Sequence, residues 1–203
     1  MPNTGHQPRS ESPLHYGLTS QVTENAPISL VVREIHQGCH LTLRGDSGDT
    51  HFGRAVLQVT GVTLPTKPGT YKRSGNTSIY WLGPNEWLVT AASDALSLES
   101  ALRQQLEGHV AVVDVSGGQT QVNLSREQVG TLLKKASVYD FGSWAEASDQ
   151  DGRCTQTTFA SASALVAQNA DGSIDLIIRR SFSDYIMQWL LDAVKDTGFK
   201  SQA

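Results

Sequence analysis

The stretch Val110–Ser125, VAVVDVSGGQTQVNLS, joins two strand patterns across a pair of glycines. Its first part, Val110–Ser116, is apolar at nearly every position, which is typical of a strand buried on both faces. Its second part, Thr120–Ser125, alternates apolar and polar residues, which is typical of a strand with one solvated face. Gly117 and Gly118 between them predict a turn. We therefore expect two paired strands of an antiparallel sheet.

Strand patterns continue on the N-terminal side of that stretch. Ile28–Ile35 is rich in β-branched residues, and Cys39–Gly45 alternates leucine with polar residues, and both patterns favour β-structure. Turn residues at Ser74–Asn76 and Gly83–Glu86 predict hairpins. Ala55–Pro65, which precedes these turns, is expected to begin with a helical turn and to end at its proline.

The sequence also predicts three helices. The first spans Asp94–Glu107, where leucines stack on one side. The second begins at Ser125, a good N-cap, and Gln128 completes a capping box with it. The third is capped by Ser181 and carries one apolar stripe, the pattern of a helix packed on a sheet. The residues of this stripe are Phe182, Tyr185, Ile186, Trp189, Leu190, Ala193 and Val194.

Two further strands, Gly152–Gln168 and Ser173–Arg180, are predicted to pair across the turn Asn169–Gly172. Because the strands are mostly linked by hairpins and are mixed with helices, the fold class is α+β, with antiparallel sheets covered by helices. We assign residues 19–203 to a single α+β domain and residues 1–18 to an extended N-terminal arm.

The arm begins with a polar tail and ends in the segment SPLHYGL. Its candidates for contact with a partner are Pro13, Leu14, Tyr16 and Leu18. Apolar residues on a polar arm either pack back on their own domain or lie along another protein. Both interpretations stay open from the sequence.

Composition excludes several classes of function. The chain has 203 residues and a net charge of -4, so it has no basic excess with which to bind a nucleic-acid backbone. No apolar run approaches the roughly 20 residues of a membrane span, and the N-terminus has no apolar stretch typical of a secretory signal. Its two cysteines lie far apart, which is neither a disulfide framework nor a zinc knuckle. We expect a cytoplasmic protein.

Histidine and cysteine residues are the first candidates for chemistry. His36, Cys39 and His40 are close in sequence, but alternate strand residues point to opposite faces and the three need not converge as a zinc site requires. Cys154 lies in a predicted strand without a neighbouring histidine and is interpreted as a small buried hydrophobe. We predict no metal site and no cysteine nucleophile.

Charged and glycine-rich segments receive similar interpretations. Asp46, Asp49 and His51 lack the later Glu and fixed Gly of a calcium loop, so they are interpreted as a solvated turn. Ser116–Gly118 is followed by a strand, so the helix dipole that strengthens a phosphate site is missing. Arg179–Arg180 is interpreted as surface charge at the end of an edge strand.

Aromatic residues flank one of the predicted turns. Trp81 and Trp87 lie on either side of Gly83–Glu86 and either form a ligand wall or pack in the core, of which core packing is preferred. The residues thus present no acid–base pair, no triad and no cofactor loop. From the residues alone, we predict an α+β domain that binds another molecule.

Several segments together resemble the gamma subunit of heterotetrameric sarcosine oxidase. They occur in one order over nearly the whole chain after the tail, and RRSFSDY followed by a tryptophan-bearing helix is the most specific. The segments are SPLHYGL (Ser12–Leu18), LGPNEWLV (Leu82–Val89), VVDVSGGQTQVNLS (Val112–Ser125), CTQTTFASASALV (Cys154–Val166) and IDLIIRRSFSDYIMQWLLDA (Ile174–Ala193).

The resemblance implies a place in a bacterial cytoplasmic assembly of alpha, beta, gamma and delta subunits. Such an assembly oxidises sarcosine to glycine and hydrogen peroxide, and the one-carbon unit leaves as formaldehyde or, with tetrahydrofolate, as methylenetetrahydrofolate. FAD, FMN and NAD are held by the alpha and beta subunits and zinc by delta. The gamma subunit is similar to the folate-binding aminomethyltransferase domain and has no catalytic role.

This chain departs from its aminomethyltransferase relatives at one place. There, the strand matching CTQTTF runs into a glycine-containing turn and an acidic residue that serves the folate chemistry. Here Phe159–Leu165 contains no carboxylate. We therefore predict no catalytic, cofactor-binding or metal-binding residue. The alternatives are a free-standing folate-dependent one-carbon transferase and a small-molecule binding module.

Overall fold

A computed structural model describes residues 12–14, 30–35, 38–125, 127–144, 152–195 and 199–202. Within them the chain forms eleven strands and four α-helices. The strands are β1 (Leu30–Ile35), β2 (Cys39–Arg44), β3 (Thr70–Ser74), β4 (Thr77–Gly83), β5 (Glu86–Ala91), β6 (Ala111–Asp114), β7 (Gln119–Ser125), β8 (Gly152–Phe159), β9 (Ala162–Gln168), β10 (Ile174–Arg179) and β11 (Phe199–Gln202). The helices are α1 (Thr50–Thr60), α2 (Ala95–Gln105), α3 (Val129–Ala136) and α4 (Ser183–Ala193).

These strands form one sheet in the order β11-β1-β7-β10-β9-β8-β3-β4-β5-β2-β6. Its neighbours are antiparallel, apart from β1 and β11, which run parallel. We call β3, β4, β5, β2 and β6 the first half of the sheet, and β11, β1, β7, β10, β9 and β8 the second half. The predicted α+β class, an antiparallel sheet covered by helices, is confirmed.

The stretch Val110–Ser125 connects the two halves and does not form a hairpin. β6 pairs with β2 at one edge of the sheet, whereas β7 lies between β1 and β10. A 3-10 helix at Ser116–Gly118 carries the chain across. The predicted pairing was wrong because an alternating pattern shows that a strand forms but does not name its partner. The predicted burial of the first strand on both faces was also wrong, since Val113 is 49% exposed.

Each half of the sheet is covered on one face by a helix pair. Under α1 and α2, the first half buries a core in which the rings of Phe52 and Trp87 lie 5.6 Å apart. Under α3 and α4, the second half buries a core in which Phe159 meets the ring of Trp189 edge-on, with centroids 5.4 Å apart. Alternate strand residues supply both cores, as the pleat requires.

A helix not foreseen from the sequence covers the first half. α1 has eleven residues and begins at Asp49, whose carboxylate accepts a hydrogen bond from the backbone N–H of His51 at 2.8 Å. It ends at Gly61, whose φ of 69° is the left-handed conformation that glycine adopts at helix ends. The solvated turn predicted at Asp46, Asp49 and His51 therefore ends at Asp49, where the helix begins. The helical turn predicted to start at Ala55 lies in the middle of this helix.

Three local predictions in the second half were also wrong. Ser125 belongs to β7, and α3 begins at Gln128 without a side-chain cap. Ser181 lies in a 3-10 turn, so α4 begins at Phe182, also without a side-chain cap. The strand expected over Gly152–Gln168 is two strands, β8 and β9. They are joined by a tight turn in which Ala160 has a φ of 54°. By contrast, the hairpin turns of β3–β4 and β4–β5 and the helix from Asp94 are confirmed.

In the described part of the chain, none of the helices has the length and apolar character needed to cross a bilayer.

Candidate functional site

The face of the sheet opposite the helices brings the two halves together. Because successive strand residues point to opposite faces, the residues between the core positions of each strand point to this side, which we call the inner face. Apolar side chains from both halves pack together at its centre, and polar side chains lie towards its two ends. The central cluster consists of Tyr71, Tyr80, Leu88, Cys154, Leu165, Ala167 and Ile177.

Tyr71 of β3 is packed tightly within this cluster. Its ring stacks on Tyr80 with centroids 5.1 Å apart. On the other side it covers Gly152, where an added Cβ would lie 2.2 Å from the Tyr71 ring, so only glycine fits there. The Tyr71 hydroxyl donates to the carbonyl of Gln168 at 3.0 Å, and burial raises the pKa of Tyr71 to about 12. The Tyr71 side chain is therefore uncharged and contacts both halves of the sheet.

An ion pair at one end of the inner face ties β3 to β10. Nη2 of Arg73 lies 2.7 Å from Oδ2 of Asp175, whose side chain is 5% exposed. Nε of Arg73 donates to Oγ of Ser78 at 2.7 Å, and Nη1 donates to Oδ1 of Asn169 at 2.8 Å. Nη2 also donates to the hydroxyl of Tyr80 at 3.4 Å, so the guanidinium group uses its fixed fork of donors on four partners at once.

The second carboxylate oxygen of Asp175 is held by amides. Oδ1 accepts from Nδ2 of Asn123 at 2.7 Å and from Nδ2 of Asn169 at 3.0 Å. Both amides also donate to the hydroxyl of Ser173. Asp175 thus has the partners that a buried charge requires, and the polar network is rigid because its members constrain one another.

Described residues of the inner face line two clefts, one towards each end. Cleft A has a volume of about 490 Å³ and Cleft B about 480 Å³. Cleft A has neutral polar walls and one arginine, Arg179, whereas Cleft B contains the Arg73–Asp175 network and a second arginine, Arg33. The polar residues of Cleft A are Thr42, Gln119, Gln156, Thr157, Thr158 and Ser163. Both volumes lie in the range of small-molecule sites.

Gln121 of β7 is the buried polar side chain of Cleft B that the network does not satisfy. It is 2% exposed, and its Oε1 has no hydrogen-bond partner among the described residues. Its neighbours across the ladders are Ile35 and Ile177, which offer no donor. A buried unsatisfied acceptor destabilises a folded protein by about 1–3 kcal/mol.

His40 occupies a similar position in the first half. It lies opposite Thr90 on the inner face, and neither the His40 Nε2 nor the Thr90 Oγ1 finds a partner within the described residues. Burial lowers the pKa of His40 to about 4, although the charge of Asp114 opposes this. The imidazole is therefore neutral at physiological pH, and His40 lines neither Cleft A nor Cleft B.

Both cysteines are buried thiols. Cys154 donates to the carbonyl of Thr70 at 3.1 Å, and burial raises the pKa of Cys154 to about 12. Burial also raises the pKa of Cys39. Since the thiolate is the nucleophilic form, neither sulfur is poised for catalysis, and the interpretation of Cys154 as a buried small side chain is confirmed.

The other candidates from the sequence are distributed over the molecule. His36 lies outside the described residues, and no three metal-binding side chains converge within the residues that are described. Trp87 is fully buried and its Nε1 donates to the carbonyl of Pro65 at 2.7 Å, while Trp81 packs on the same core. The pair belongs to the core and forms no ligand wall. Arg179 lies in Cleft A, and β10 is an interior strand rather than the predicted edge strand.

The arm is described only at Ser12, Pro13 and Leu14. Leu14 is 1% exposed and belongs to the core of the second half, while Pro13 is half-buried. The Ser12 hydroxyl hydrogen-bonds to the carboxylate of Glu34. Leu14 therefore packs on its own domain, whereas Tyr16 and Leu18 lie outside the described residues and their contact with a partner stays a prediction.

The residues of Cleft B were not identified from the sequence. Arg73 and Asp175 are separated by 102 positions, and no local pattern connects them. A weak signal was available, since Asp175 interrupts the apolar run IDLII of a buried strand, and a buried carboxylate needs a partner. The identity of that partner depends on the curled sheet.

Comparison with known proteins yields a family match. The Sarcosine oxidase, gamma subunit family matches residues 44–196. Sarcosine oxidase subunit gamma of Corynebacterium sp. (strain U-96) is 26% identical over 174 residues, which are 83% of this chain and 80% of the relative. Sarcosine oxidase subunit gamma of Arthrobacter sp. is 27% identical over 171 residues, with 83% and 81% covered.

Two solved structures share the fold. A chain of heterotetrameric sarcosine oxidase from Corynebacterium sp. U-96, in complex with pyrrole 2-carboxylate, superposes with a TM-score of 0.78 at 24% identity, covering 92% of this chain and 95% of that chain. Aminomethyltransferase T of the glycine cleavage system from Bartonella henselae superposes with a TM-score of 0.58 at 11% identity, covering 87% of this chain and 48% of that one. The aminomethyltransferase-like fold is confirmed.

Proposed function

This chain belongs to the sarcosine oxidase gamma subunit family, and from that premise we propose that it is the gamma subunit of a heterotetrameric sarcosine oxidase. Its role is to assemble and stabilise the flavin-bearing subunits. The observation that carries the proposal is the extent of the likeness. The family match covers residues 44–196, and the fold of the sarcosine oxidase chain is matched over 95% of its length.

The reaction of the complex is the oxidative demethylation of sarcosine to glycine, with hydrogen peroxide and either formaldehyde or methylenetetrahydrofolate as the other products. Its FAD, FMN, NAD and zinc belong to the alpha, beta and delta subunits, and the assembly works in the cytoplasm. This chain holds none of these cofactors.

The protonation states of its reactive side chains support a non-catalytic role. The Cys154 thiol has a pKa of about 12 and is 1% exposed, and the His40 imidazole has a pKa of about 4 and is 4% exposed. A nucleophile or general base must reach the substrate with a pKa suited to its task. Neither group has a pKa suited to such a task, and neither lines Cleft A or Cleft B, which supports a non-catalytic role for this chain.

Contact with those subunits includes the arm. Leu14 anchors the arm in the core of the second half. We assign Tyr16 and Leu18 to a partner, with Pro13 beside the anchor. Tyr16→Ser and Leu18→Ser together are expected to weaken assembly, and Leu14 is retained in this variant as the contact with the core of the second half.

Co-purification tests the proposal. The tagged full chain is expressed in its host, captured, and the eluate is measured for flavin absorption and for sarcosine-dependent hydrogen peroxide. A flavin-containing complex with this activity is expected, and the Tyr16→Ser, Leu18→Ser variant is expected to retain less flavin protein. A chain that elutes without flavin protein contradicts the proposal.

The lone chain provides the second arm of this test. Tight binding of tetrahydrofolate, or turnover of a methylamine donor by the chain alone, would instead support a folate-dependent transferase, whose fold this chain shares over 48% of the solved aminomethyltransferase chain. Calorimetry with tetrahydrofolate distinguishes the two functions.

A further inference from the structure

Cleft B combines a rigid wall with two groups that have unused binding capacity. The rigid wall is the Arg73–Asp175 network, in which each charged group is matched by partners inside the protein. Gln121 and Arg33 line the same cleft. Gln121 presents a buried acceptor without a donor, and Arg33 presents an exposed guanidinium group.

The strand register places these two groups as neighbours. Arg33 lies opposite Asn123, and Ile35 lies opposite Gln121, in the β1–β7 ladder. Arg33 and Gln121 are therefore diagonal neighbours on the inner face, and the Cβ atoms of such neighbours are typically about 7 Å apart. One small molecule between the two side chains can therefore offer an anion to Arg33 and an N–H to Gln121.

A negative charge stands at the rim of the same cleft. Asp171 is exposed in the turn between β9 and β10, and its carboxylate accepts from the hydroxyl of Ser173 at 2.7 Å and from its backbone N–H at 2.9 Å. Cleft B thus presents a cation, an anion and a buried neutral acceptor. A ligand with both a positive and a negative group complements all three, whereas a simple anion or cation complements only part of the site.

The geometry points to Cleft B as a binding site for a free amino acid, whose carboxylate binds Arg33 and whose amino group donates to Oε1 of Gln121. The charge of Asp171 favours the ammonium form of the amino group. The volume of about 480 Å³ leaves room for the side chain of the amino acid and for water. We therefore expect the site to select for the amino and carboxylate groups of the ligand more strongly than for its side chain.

The cost of Gln121 to stability supports this assignment. A residue that serves only packing in this position would be better replaced by an apolar one of similar shape, since its acceptor is unpaired among isoleucines. Residues that break a local rule of stability are typical of binding sites. The site is independent of the complex proposed above, because its groups belong to this chain.

Titration calorimetry of the folded full chain tests the site, with glycine and sarcosine as probes. Acetate has the carboxylate without the amino group, and methylamine has the amino group without the carboxylate. Both amino acids are expected to bind, and each of the two fragments to bind at least about tenfold more weakly. A fragment that binds as tightly as the amino acids overturns the proposal. Absence of binding by both amino acids also overturns it, because water alone then satisfies Gln121.

Three variants locate the site. Arg33→Gln and Gln121→Met are each expected to weaken amino-acid binding at least about tenfold. Arg179→Gln removes the corresponding arginine of Cleft A and is expected to leave binding unchanged. Gln121→Met is also expected to unfold at the same or a higher temperature, because it removes the buried unpaired acceptor, whereas a glutamine held by hydrogen bonds inside the protein would lose stability on this change. Loss of binding in Arg179→Gln, or a lower unfolding temperature in Gln121→Met, contradicts the assignment.

Discussion

The two halves of the sheet are similar in layout but begin their helices in different ways. In the first half, α1 and α2 begin at Asp49 and Asp94, and each carboxylate accepts a backbone hydrogen bond in the first turn. In the second half, α3 and α4 begin at Gln128 and Phe182, and neither has a side-chain cap. The first half therefore encodes its helix starts locally, and the second half does not.

Tertiary contacts replace the caps in the second half. α4 buries Ile186, Met187 and Leu190 against the sheet. Nζ of Lys135 in α3 donates to the carbonyl of Ala193 at 3.2 Å, which ties the end of one helix to the end of the other. A helix packed on a sheet therefore depends more on its apolar face than on its cap, because tertiary packing supplies most of the stability of helices in proteins.

The largest expected effect comes from the ion pair that joins the two halves. Asp175→Ala leaves the guanidinium group of Arg73 and the amides of Asn123 and Asn169 without their common acceptor. The side chain of Arg73 is 37% exposed and is partly solvated by water, so most of the loss comes from the two amides that lose a charged acceptor. Each hydrogen bond of this kind contributes about 1.5–3 kcal/mol, so the expected loss is about 4 kcal/mol of unfolding free energy. Urea denaturation followed by circular dichroism measures the loss.

Arg179→Ala is the control for that experiment. Arg179 is exposed on the same strand, and surface substitutions change stability by less than about 0.5 kcal/mol. If Asp175→Ala lost no more unfolding free energy than Arg179→Ala, the ion pair would contribute nothing and the two halves would be held by the apolar centre alone.

The second prediction concerns pH and the first half. Unfolded histidine binds a proton near pH 6.5 and folded His40 near pH 4. The unfolded chain therefore binds more protons between these values, so the free energy of unfolding falls as the pH is lowered through this window. The expected loss from His40 at pH 4 is about 3 kcal/mol, measured by urea denaturation at several pH values.

His40→Gln removes most of this pH dependence if the interpretation is correct. His51→Gln serves as its control, because His51 is exposed at the start of α1. An unchanged pH dependence in His40→Gln would show that carboxylates account for the loss.

The smallest expected effects test the caps themselves. Asp94→Ala in the first half removes the acceptor for the backbone N–H of Ser97 and should cost about 1 kcal/mol. Ser181→Ala in the second half removes a hydroxyl that caps no helix, with an expected change below about 0.5 kcal/mol. Thermal unfolding of the two variants compares them directly, and a larger loss in Ser181→Ala would reverse the comparison.

The same contrast explains which elements the sequence predicted well. The helix from Asp94 was predicted because its cap and its leucine periodicity agree. The β3–β4 and β4–β5 hairpins were predicted because Gly75–Asn76 and Pro84–Asn85 carry local turn chemistry. Ser125 and Ser181 misled because a serine before an apolar periodic run has the composition of a cap whether or not it occupies that position.

The residues of Cleft B could not be predicted from the sequence as members of one site. Gln121, Arg33 and Asp171 lie on three different segments, and each is an ordinary polar residue in its own sequence context. They line one cleft because β1 and β7 pair in this register and because the β9–β10 turn lies close to both strands. No spacing rule in the sequence expresses that arrangement.

Four features of this protein could be predicted before its fold was known: the alternation of strands and helices, most turns, the apolar faces and the family. All of these depend on interactions between residues a few positions apart or on similarity along the chain. Three other features follow from the three-dimensional fold: Val110–Ser125 crosses between the halves, Arg73 pairs with Asp175, and Gln121 lines Cleft B. Strand pairing over long separations depends on closing large loops and on the curvature of the whole sheet, which no local pattern contains.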